Sequence, residues 1–271
     1  MNLLKAIKIS RPAGYFIGPI IFLIPIFLYN ISFNATMIIQ LILLTFPLCF
    51  LFFGINDVYD IETDMKNPRK GGIEGAVLKK KETNSVLSIG AVCAVLMFIP
   101  ALVRSNTLNL TATAFLVLLG YAYSAPPLRL KEKPPLDSFS NAVIIYIIFL
   151  MGLSYGPGIS AFPEAGYYLL FGVMDIHIFS TIMDYTPDIE SSITTFATIL
   201  GKRLAALMSF LIAGFILLFS AIQNIFINIF IFAFAIISIT ALIKPDEKLA
   251  RNLFRILFGL FIIMSIAYLF F

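Results

Sequence analysis

Long apolar runs separated by short polar segments dominate this sequence. The apolarity within each run is continuous rather than alternating, which favours helices over a β-barrel. Nine runs are long enough to cross a hydrocarbon core of about 30 Å. They are approximately Ala13–Tyr29, Thr36–Ile55, Asn84–Val103, Leu108–Ser124, Ser138–Tyr155, Ala165–Met183, Leu204–Ile222, Ile225–Ile243 and Leu253–Phe271. The pattern predicts an all-α polytopic membrane protein with nine transmembrane helices.

Basic residues are distributed asymmetrically between the two ends of these runs. Every Lys and Arg except Arg104 precedes the first run, follows an even-numbered run or lies around the start of the ninth. Positive charge is enriched in cytoplasmic loops, so this bias predicts a cytoplasmic N-terminus and an external C-terminus. Because no cleavable signal peptide is evident, we expect an integral protein of the plasma membrane.

Composition agrees with this class of protein. The chain is 60% hydrophobic and 13% charged, which is typical of a polytopic membrane protein. Its net charge of +4 is dispersed over several loops, so we predict membrane lipid and no nucleic acid as a partner. Cys49 and Cys93 lie inside apolar runs and are interpreted as packing residues.

The most informative polar segment follows the second apolar run. We call it the first acidic segment, and it reads Asn56-Asp57-Val58-Tyr59-Asp60-Ile61-Glu62-Thr63-Asp64. On a continuous helix, Asn56, Asp60 and Asp64 share one stripe, with Asp57 at its margin. Acids on one face repel one another unless a cation neutralises them, and Mg²⁺ prefers oxygen ligands and bridges to phosphates. The alternative is a solvated helix end with scattered acids.

A second acidic segment ends the sixth run and reads Asp184-Tyr185-Thr186-Pro187-Asp188-Ile189-Glu190. Asp184 and Asp188 share a face if the helix continues, although Pro187 would instead end it. Aligning Asn56 with Asp184 and Asp60 with Asp188 makes this segment a weak repeat of the first. The repeat predicts a single domain over residues 1–271, with two related four-helix halves and a ninth helix around a central cavity. Both segments are expected at the cytoplasmic face.

Two acidic helix ends near basic residues suit one type of substrate, an allylic diphosphate. Metal ions and cationic side chains stabilise the negative charge that develops on its leaving oxygens. The apolar tail would lie among the abundant Phe, Ile and Leu side chains. The aromatic faces of the Phe rings would stabilise an allylic cation.

Four sequence elements carry a resemblance to a known family. The first acidic segment fits the motif N-D-x-x-D-x-x-x-D, and Asp184 with Asp188 fits D-x-x-x-D. The stretch from Tyr123 to Lys131 resembles the element Tyr-Ser-x-Pro-Pro-Leu-Arg-Leu-Lys, and Arg11-Pro12 resembles the usual opening. Together they resemble the UbiA superfamily of intramembrane prenyltransferases. The resemblance implies a Mg²⁺-dependent enzyme that transfers a polyprenyl group from an allylic polyprenyl diphosphate to a lipophilic acceptor and releases diphosphate.

The resemblance also implies roles for individual residues. Two Mg²⁺ ions would bridge the diphosphate, with catalysis depending on the aspartates: one ion would be held by Asn56, Asp60 and Asp64, and the other by Asp184 and Asp188. Glu62 and Glu190 point elsewhere by helical angle and are interpreted as surface or ion-pair residues.

Further candidates would bind substrate; they are Arg11, Asp57, Tyr123, Arg129, Lys131 and His177. Asp57 would act as a helper group beside the metal ligands. Arg129 and Lys131 would clamp the diphosphate, or would serve only as topology charges. His177 is the only histidine, and either faces the cavity with Asp184 or is a hydrogen-bonded packing residue.

Within the superfamily, the chain most resembles lycopene elongases and related carotenoid prenyltransferases. The resemblance lies in Asn67–Lys70, His177–Ile182 and Thr194–Gly201, whereas Met183 and Ser191-Ser192 depart from the family pattern. An aromatic quinone precursor, a chlorin or an archaeal glycerol-phosphate lipid therefore stays open as the acceptor. Two other classes also stay open, a membrane cation transporter and a non-catalytic prenyl-lipid binder.

Overall fold

A computed structural model of the chain describes residues 1–65, 75–158, 165–220 and 224–270. These residues form fifteen α-helices, joined by turns and by three short 3-10 helices. The α-helices are α1 (Leu3–Ser10), α2 (Ile17–Leu28), α3 (Ala35–Leu43), α4 (Phe46–Tyr59), α5 (Ile61–Asp64), α6 (Thr83–Met97), α7 (Ile99–Val103), α8 (Thr107–Ser124), α9 (Leu136–Leu153), α10 (Ala165–Met183), α11 (Tyr185–Glu190), α12 (Phe196–Leu200), α13 (Lys202–Phe219), α14 (Ile225–Ile243) and α15 (Glu247–Phe270).

Membrane-spanning helices account for most of the described chain. Eight helical stretches are long and apolar enough to cross a membrane, and a ninth is obtained if Leu3–Ser10 and Pro12–Leu28, bent by 47°, count as one span. Pro12 follows directly on the left-handed Arg11 at this bend, which separates the two helices. The prediction of an all-α polytopic membrane protein is confirmed. The cytoplasmic N-terminus stays a prediction.

The chain divides into two compact units. Unit 1 comprises Met1–Arg129 and Ile147–Ala161, and unit 2 comprises Leu130–Tyr146 and Phe162–Phe271. The first acidic segment belongs to unit 1 and the second to unit 2. A single domain built from two related four-helix halves stays a prediction.

In unit 1, α4 has the most packing partners. It begins with Pro47 in its first turn, where the missing N–H costs no hydrogen bond, and contacts α1, α3, α6 and α8. Leu48, Phe50 and Leu51 are buried along it. The first acidic segment begins in the last turn of this enclosed helix, so its side chains start from a fixed backbone.

In unit 2, α10 packs against α12, α13 and α15. Small side chains let membrane helices approach closely, and the unit's buried core contains many: Ala197, Ala205, Ala206, Ala213, Ala235, Ala241 and Ala250. The ring of Phe179 in α10 meets that of Phe234 edge to face, with centroids 5.7 Å apart. These contacts fix the helix from which the second acidic segment emerges.

The ninth predicted span begins earlier than its apolar residues indicate. Hydropathy placed its start at Leu253, whereas α15 begins at Glu247. The Asp246 carboxylate accepts the N–H of Leu249 at 2.7 Å and so caps the helix. The first turns of α15 are therefore polar, which a hydropathy pattern does not detect.

We predict that Gly152→Ala destabilises unit 1. A Cβ at this position in α9 would lie 2.2 Å from the carbonyl oxygen of Phe22 in α2, so backbone would have to move. The expected loss is about 1–3 kcal/mol, typical of overpacking, measured as unfolding of the detergent-purified protein. Gly259→Ala is the control, because no atom lies within 4 Å of the added Cβ. Equal stability of both variants would contradict the prediction.

Candidate functional site

The first acidic segment does not form one continuous helix. The helix α4 ends at Tyr59 and α5 begins at Ile61, with Asp60 between them at φ −110° and ψ 11°. The backbone stays coiled, since the N–H of Asp64 donates to the carbonyl of Asp60 at 2.7 Å. The single stripe that a continuous helix would give Asn56, Asp60 and Asp64 is therefore interrupted, because the raised ψ of Asp60 changes the direction of the residues that follow it.

The acidic side chains of this segment differ in how far they are exposed. Asp57, Asp60 and Asp64 are 0%, 9% and 7% exposed. The side chain of Glu62, by contrast, is 77% exposed and pairs with Lys80 at 3.1 Å. The interpretation of Glu62 as a surface ion-pair residue is confirmed. Three buried carboxylates within eight residues carry a desolvation cost that requires nearby positive charge.

Two arginines supply positive charge to these carboxylates. Arg11 donates to Asp57 Oδ1 at 2.9 Å, and its guanidinium lies 4.2 Å from the centroid of the Phe53 ring. Arg129 donates to Asp60 Oδ1 at 3.0 Å and to the carbonyl oxygen of Tyr59 at 3.2 Å. Both arginines predicted to bind substrate thus lie at the first acidic segment, and Arg129 spans the helix break.

The same two arginines have strained backbones. Arg11 has φ 51° and Arg129 has φ 42°, within the left-handed region that non-glycine residues rarely adopt. Strain of this kind is retained only where the surrounding structure fixes it, and it is concentrated at functional sites. Each of these arginines contacts a buried aspartate, Arg11 with Asp57 and Arg129 with Asp60.

Hydroxyl groups complete the surroundings of the segment. Ser124 donates to Asn56 Oδ1 at 3.3 Å, and the Tyr59 and Tyr121 hydroxyls lie 3.2 Å apart. Tyr123 precedes Ser124 in α8 and is partly buried. Ser124 and Tyr59 were not among the site residues predicted from the sequence. The signal for Ser124 was its place in the Tyr-Ser-x-Pro-Pro element, directly after the candidate Tyr123.

A shallow cleft of about 350 Å³ lies on the outer side of the segment. Its lining residues are Val58, Tyr59, Ile61, Glu62, Thr63, Lys80 and Arg129. None of the three buried aspartates lines it. This cleft therefore borders the exposed face of the break and reaches the environment of the carboxylates through Arg129, the partner of Asp60.

The second acidic segment has the same kind of helix break. The helix α10 ends at Met183, Asp184 has φ −112° and ψ 10°, and α11 begins at Tyr185. The N–H of Asp188 donates to the carbonyl of Asp184 at 2.8 Å. Pro187 does not end the helix, because it is the third residue of α11, where its missing N–H costs nothing.

The matching backbones correct the alignment of the two segments. Asp60 and Asp184 occupy the two breaks, and Asp64 and Asp188 follow one turn later. This pairing is shifted by four residues from the one predicted from the sequence, which placed Asp60 opposite Asp188. In the corrected register, Thr181 takes the place of Asp57.

Thr181 serves a structural purpose in unit 2. It is 5% exposed, and its hydroxyl accepts the N–H of Ala197 in α12 at 3.1 Å. Thr195 and Thr198 cap α12 through reciprocal hydrogen bonds, and Gly201 ends it at φ 83°. The stretch Thr194–Gly201, on which the carotenoid branch was predicted, therefore forms a short helix that supports α10. Asn67–Lys70, another of the three such stretches, lies outside the described residues.

The remaining predicted residues belong to unit 2. His177 Nδ1 lies 2.9 Å from Ser138 Oγ, and the histidine is partly exposed. Lys131 lies in the 3-10 helix Leu130–Glu132. Asp184 and Asp188 are partly buried, whereas Glu190 is exposed as predicted. In the described part of the chain, no three His, Cys, Asp or Glu side chains are grouped closely enough to hold a metal ion.

Comparison with known proteins identifies the family. A model described as the UbiA prenyltransferase family matches residues 17–270. The chain belongs to this family. The superfamily predicted from the motifs is therefore confirmed, and with its apolar helices the chain is an integral membrane protein.

Two proteins similar in sequence to this chain are named for carotenoid chemistry. The lycopene elongase/hydratase of Corynebacterium glutamicum is 31% identical over 198 residues, covering 72% of this chain and 61% of that protein. The C(50) beta-cyclic carotenoids biosynthesis protein LbtBC of a Dietzia species is 34% identical over 224 residues, covering 78% of this chain and 50% of that protein. The chain thus spans about three fifths and one half of their lengths.

A solved structure has the same fold. A UbiA homolog from Archaeoglobus fulgidus, bound to DMAPP and Mg²⁺, superposes with a TM-score of 0.69 at 20% sequence identity. The match covers 98% of this chain and 99% of that one. The UbiA fold therefore extends over nearly the whole chain.

We predict that Arg11→Met destabilises unit 1 strongly. The substitution leaves the fully buried Asp57 without its guanidinium, and breaking a buried ion pair costs about 3–5 kcal/mol. Denaturant unfolding of the purified protein measures the loss. Asp57→Asn on the Arg11→Met background should recover much of it.

Lys80→Met is the matched control. It removes an ion pair whose two side chains are 78% and 77% exposed, and such pairs contribute about 0–1 kcal/mol. If Arg11→Met were as mild as Lys80→Met, the Arg11–Asp57 pair would not stabilise the segment.

Proposed function

We propose that this chain is a prenyltransferase that transfers a short prenyl group from an allylic diphosphate to a linear carotenoid such as lycopene. One observation carries the proposal: two helix breaks of matching backbone, each with a pair of aspartates one turn apart, in a chain of the UbiA family. Likeness to a lycopene elongase/hydratase and to a C(50) carotenoid protein supports the acceptor class.

The size of the prenyl group follows from those relatives. A C(50) carotenoid contains two more five-carbon units than lycopene, so five-carbon transfer accounts for the product named for the Dietzia relative. DMAPP, the five-carbon allylic diphosphate, is bound in one structure of a UbiA homolog from Archaeoglobus fulgidus, and the ten-carbon GPP is bound in another. The donor we propose is accordingly dimethylallyl diphosphate rather than a long polyprenyl diphosphate.

The donor atoms of both segments suit Mg²⁺. Asn56, Asp60 and Asp64 offer only oxygen ligands, and so do Asp184 and Asp188, which is the chemistry that a hard divalent cation selects. Ser124 orients the Asn56 amide through its Oδ1, and the hydrogen bond across each break keeps its two aspartates one turn apart. We propose one ion for each segment.

Magnesium bound there would neutralise the charge that develops on the diphosphate oxygens as the allylic C–O bond breaks. Arg129 adds fixed positive charge beside Asp60, and it is placed to exchange its contact with Asp60 for one with a diphosphate oxygen. Arg11 stays on the fully buried Asp57 and keeps α1 against α4. In this assignment Arg129 and Lys131 bind the leaving group, and Arg11 and Asp57 act as positioning residues.

The site's cellular location is part of the proposal. The distribution of Lys and Arg supports a plasma-membrane protein with its N-terminus and both acidic segments toward the cytoplasm. This is the compartment in which soluble allylic diphosphates would reach the site. The carotenoid acceptor would enter from the bilayer.

The role of the carboxylates at the breaks can be tested by comparing their variants with variants of the exposed acids in the same segments. We expect Asp60→Asn and Asp184→Asn to lower diphosphate release from dimethylallyl diphosphate and lycopene by at least about 10²-fold, since each removes charge from a metal-binding pair. Glu62→Gln and Glu190→Gln change exposed acids of the same two segments and should keep near-normal rates. Asp64→Asn provides a further variant, at the aspartate one turn after the break.

The same assay separates the competing functions. Product formed only with an aromatic acid, a chlorin or a glycerol-phosphate lipid would replace the carotenoid acceptor. Mg²⁺ flux into liposomes without diphosphate release from any prenyl donor would favour a transporter. Normal turnover by all the aspartate variants would refute the proposed site.

A further inference from the structure

A buried hydrogen-bonded chain in unit 2 leads to the only histidine. Asp137 and Ser138, in the first turn of α9, are both 0% exposed. The Ser138 hydroxyl donates to Asp137 Oδ1 at 3.3 Å, and its oxygen lies 2.9 Å from His177 Nδ1 in α10. Three polar side chains are thus connected from a buried carboxylate to an imidazole ring.

Counting protons along this chain sets the histidine tautomer. A serine hydroxyl has one proton, and the contact of Ser138 with Asp137 Oδ1 is one in which the serine donates. With the Ser138 proton on the Asp137 side, Nδ1 of His177 is the protonated nitrogen and donates to Ser138 Oγ, and this is the tautomer that we infer. In a neutral imidazole with Nδ1–H, the other nitrogen, Nε2, carries the lone pair. In this arrangement the lone pair of the His177 ring is on Nε2.

His177 lies in α10, about two helical turns before the second acidic segment. It precedes Asp184 by seven residues, which is about two turns and about 10 Å along the helix axis, on nearly the same face. It is partly exposed, whereas the adjacent Ile178 and Phe179 are fully buried in the unit 2 core. A base at this depth is near the reacting carbons when the diphosphate head is held at the aspartates.

The proposed reaction requires a proton acceptor. The C–O bond of the donor breaks and diphosphate leaves with the electron pair, and the acceptor's double bond forms a new C–C bond to the allylic carbon. The resulting acceptor cation then loses a C–H proton to form a double bond, or adds water and loses an O–H proton. Either outcome releases one proton.

We propose that His177 Nε2 accepts this proton, with Ser138 and Asp137 as positioning residues that fix its tautomer. The inference rests on the proposed function, since it assigns the last step of that reaction. The three hydrogen-bonded side chains from Asp137 to His177 then serve catalysis. A histidine that served only in packing would need only the hydrogen bond to Ser138. The proton then passes from the imidazolium to the released diphosphate or to water.

The tautomer can be measured directly, because His177 is the only histidine. In protein labelled with ¹⁵N-histidine, the ring gives a single pair of nitrogen signals, whose couplings to the ring protons identify the protonated nitrogen. We expect Nδ1–H in the wild type and a shift toward Nε2–H in Ser138→Ala. Ser209→Ala is the control, since it removes another buried unit 2 hydroxyl, one bonded to Ser238 at 3.0 Å. An Nε2–H tautomer in the wild type would overturn the proposal.

Kinetics test the role of the base. We expect His177→Gln to lower kcat for formation of prenylated lycopene by roughly 10²-fold or more, which is the usual contribution of a general base. KM for dimethylallyl diphosphate should stay within about twofold, because the donor is held elsewhere. Ser138→Ala should lower kcat less and change the ratio of alkene to alcohol product, and Ser209→Ala should alter neither.

Two outcomes separate the inference from the function on which it rests. A wild-type protein that forms product, with His177→Gln at the same kcat, would refute the role of the histidine and leave the prenyltransferase intact. A wild-type protein that forms no prenylated product with any donor would refute the proposed function, and the role of His177 with it.

Discussion

Buried negative charge at helix breaks is the constraint on which the site depends. Asp57, Asp60 and Asp64 lie within eight residues and are all less than a tenth exposed, at the end of an apolar helix. Such charge is costly in a membrane protein unless cations compensate for it. Arg11 and Arg129 provide this compensation, and each does so from a left-handed backbone that costs further free energy. The arrangement that keeps the carboxylates in place therefore lowers the folding stability of this part of the protein.

The break itself determines where the carboxylates point. A continuous helix would align Asn56, Asp60 and Asp64 on one stripe, but the raised ψ at Asp60 starts a new turn. Asp184 repeats this geometry within 2° in φ and 1° in ψ. Two segments with little sequence in common therefore present the same pair of aspartates, which is the basis for assigning one cation to each.

Hydropathy and the motifs predicted the helical membrane fold, the family and the candidate residues. They did not predict the break at Asp60 or the register of the repeat, since both depend on a single backbone angle rather than on apolar periodicity. The partners of Arg11 and Arg129 were also beyond the sequence, because they join residues 46 and 69 positions apart. The start of α15 was missed for a local reason, the polar cap at Asp246.

Each unit supports its acidic segment by different means. In unit 1, α1 is tied to α4 through Arg11 and Asp57, whereas in unit 2 the hydroxyl of Thr181 binds the N-terminal end of α12. The register places Asp57 and Thr181 at corresponding positions, so an ion pair in one unit takes the place of a neutral hydrogen bond in the other. The first segment is accordingly richer in charge, with Asn56 and Asp57 where unit 2 has Ser180 and Thr181.

We propose that each helix break is a cation site, and a count of the bound ions is the sharpest test of this proposal. Mn²⁺ is titrated into the purified protein with dimethylallyl diphosphate, and electron paramagnetic resonance gives the number of ions bound. We expect two ions per wild-type chain, and one in Asp64→Asn and in Asp188→Asn. A single ion in the wild type, or two ions retained in both variants, would contradict it.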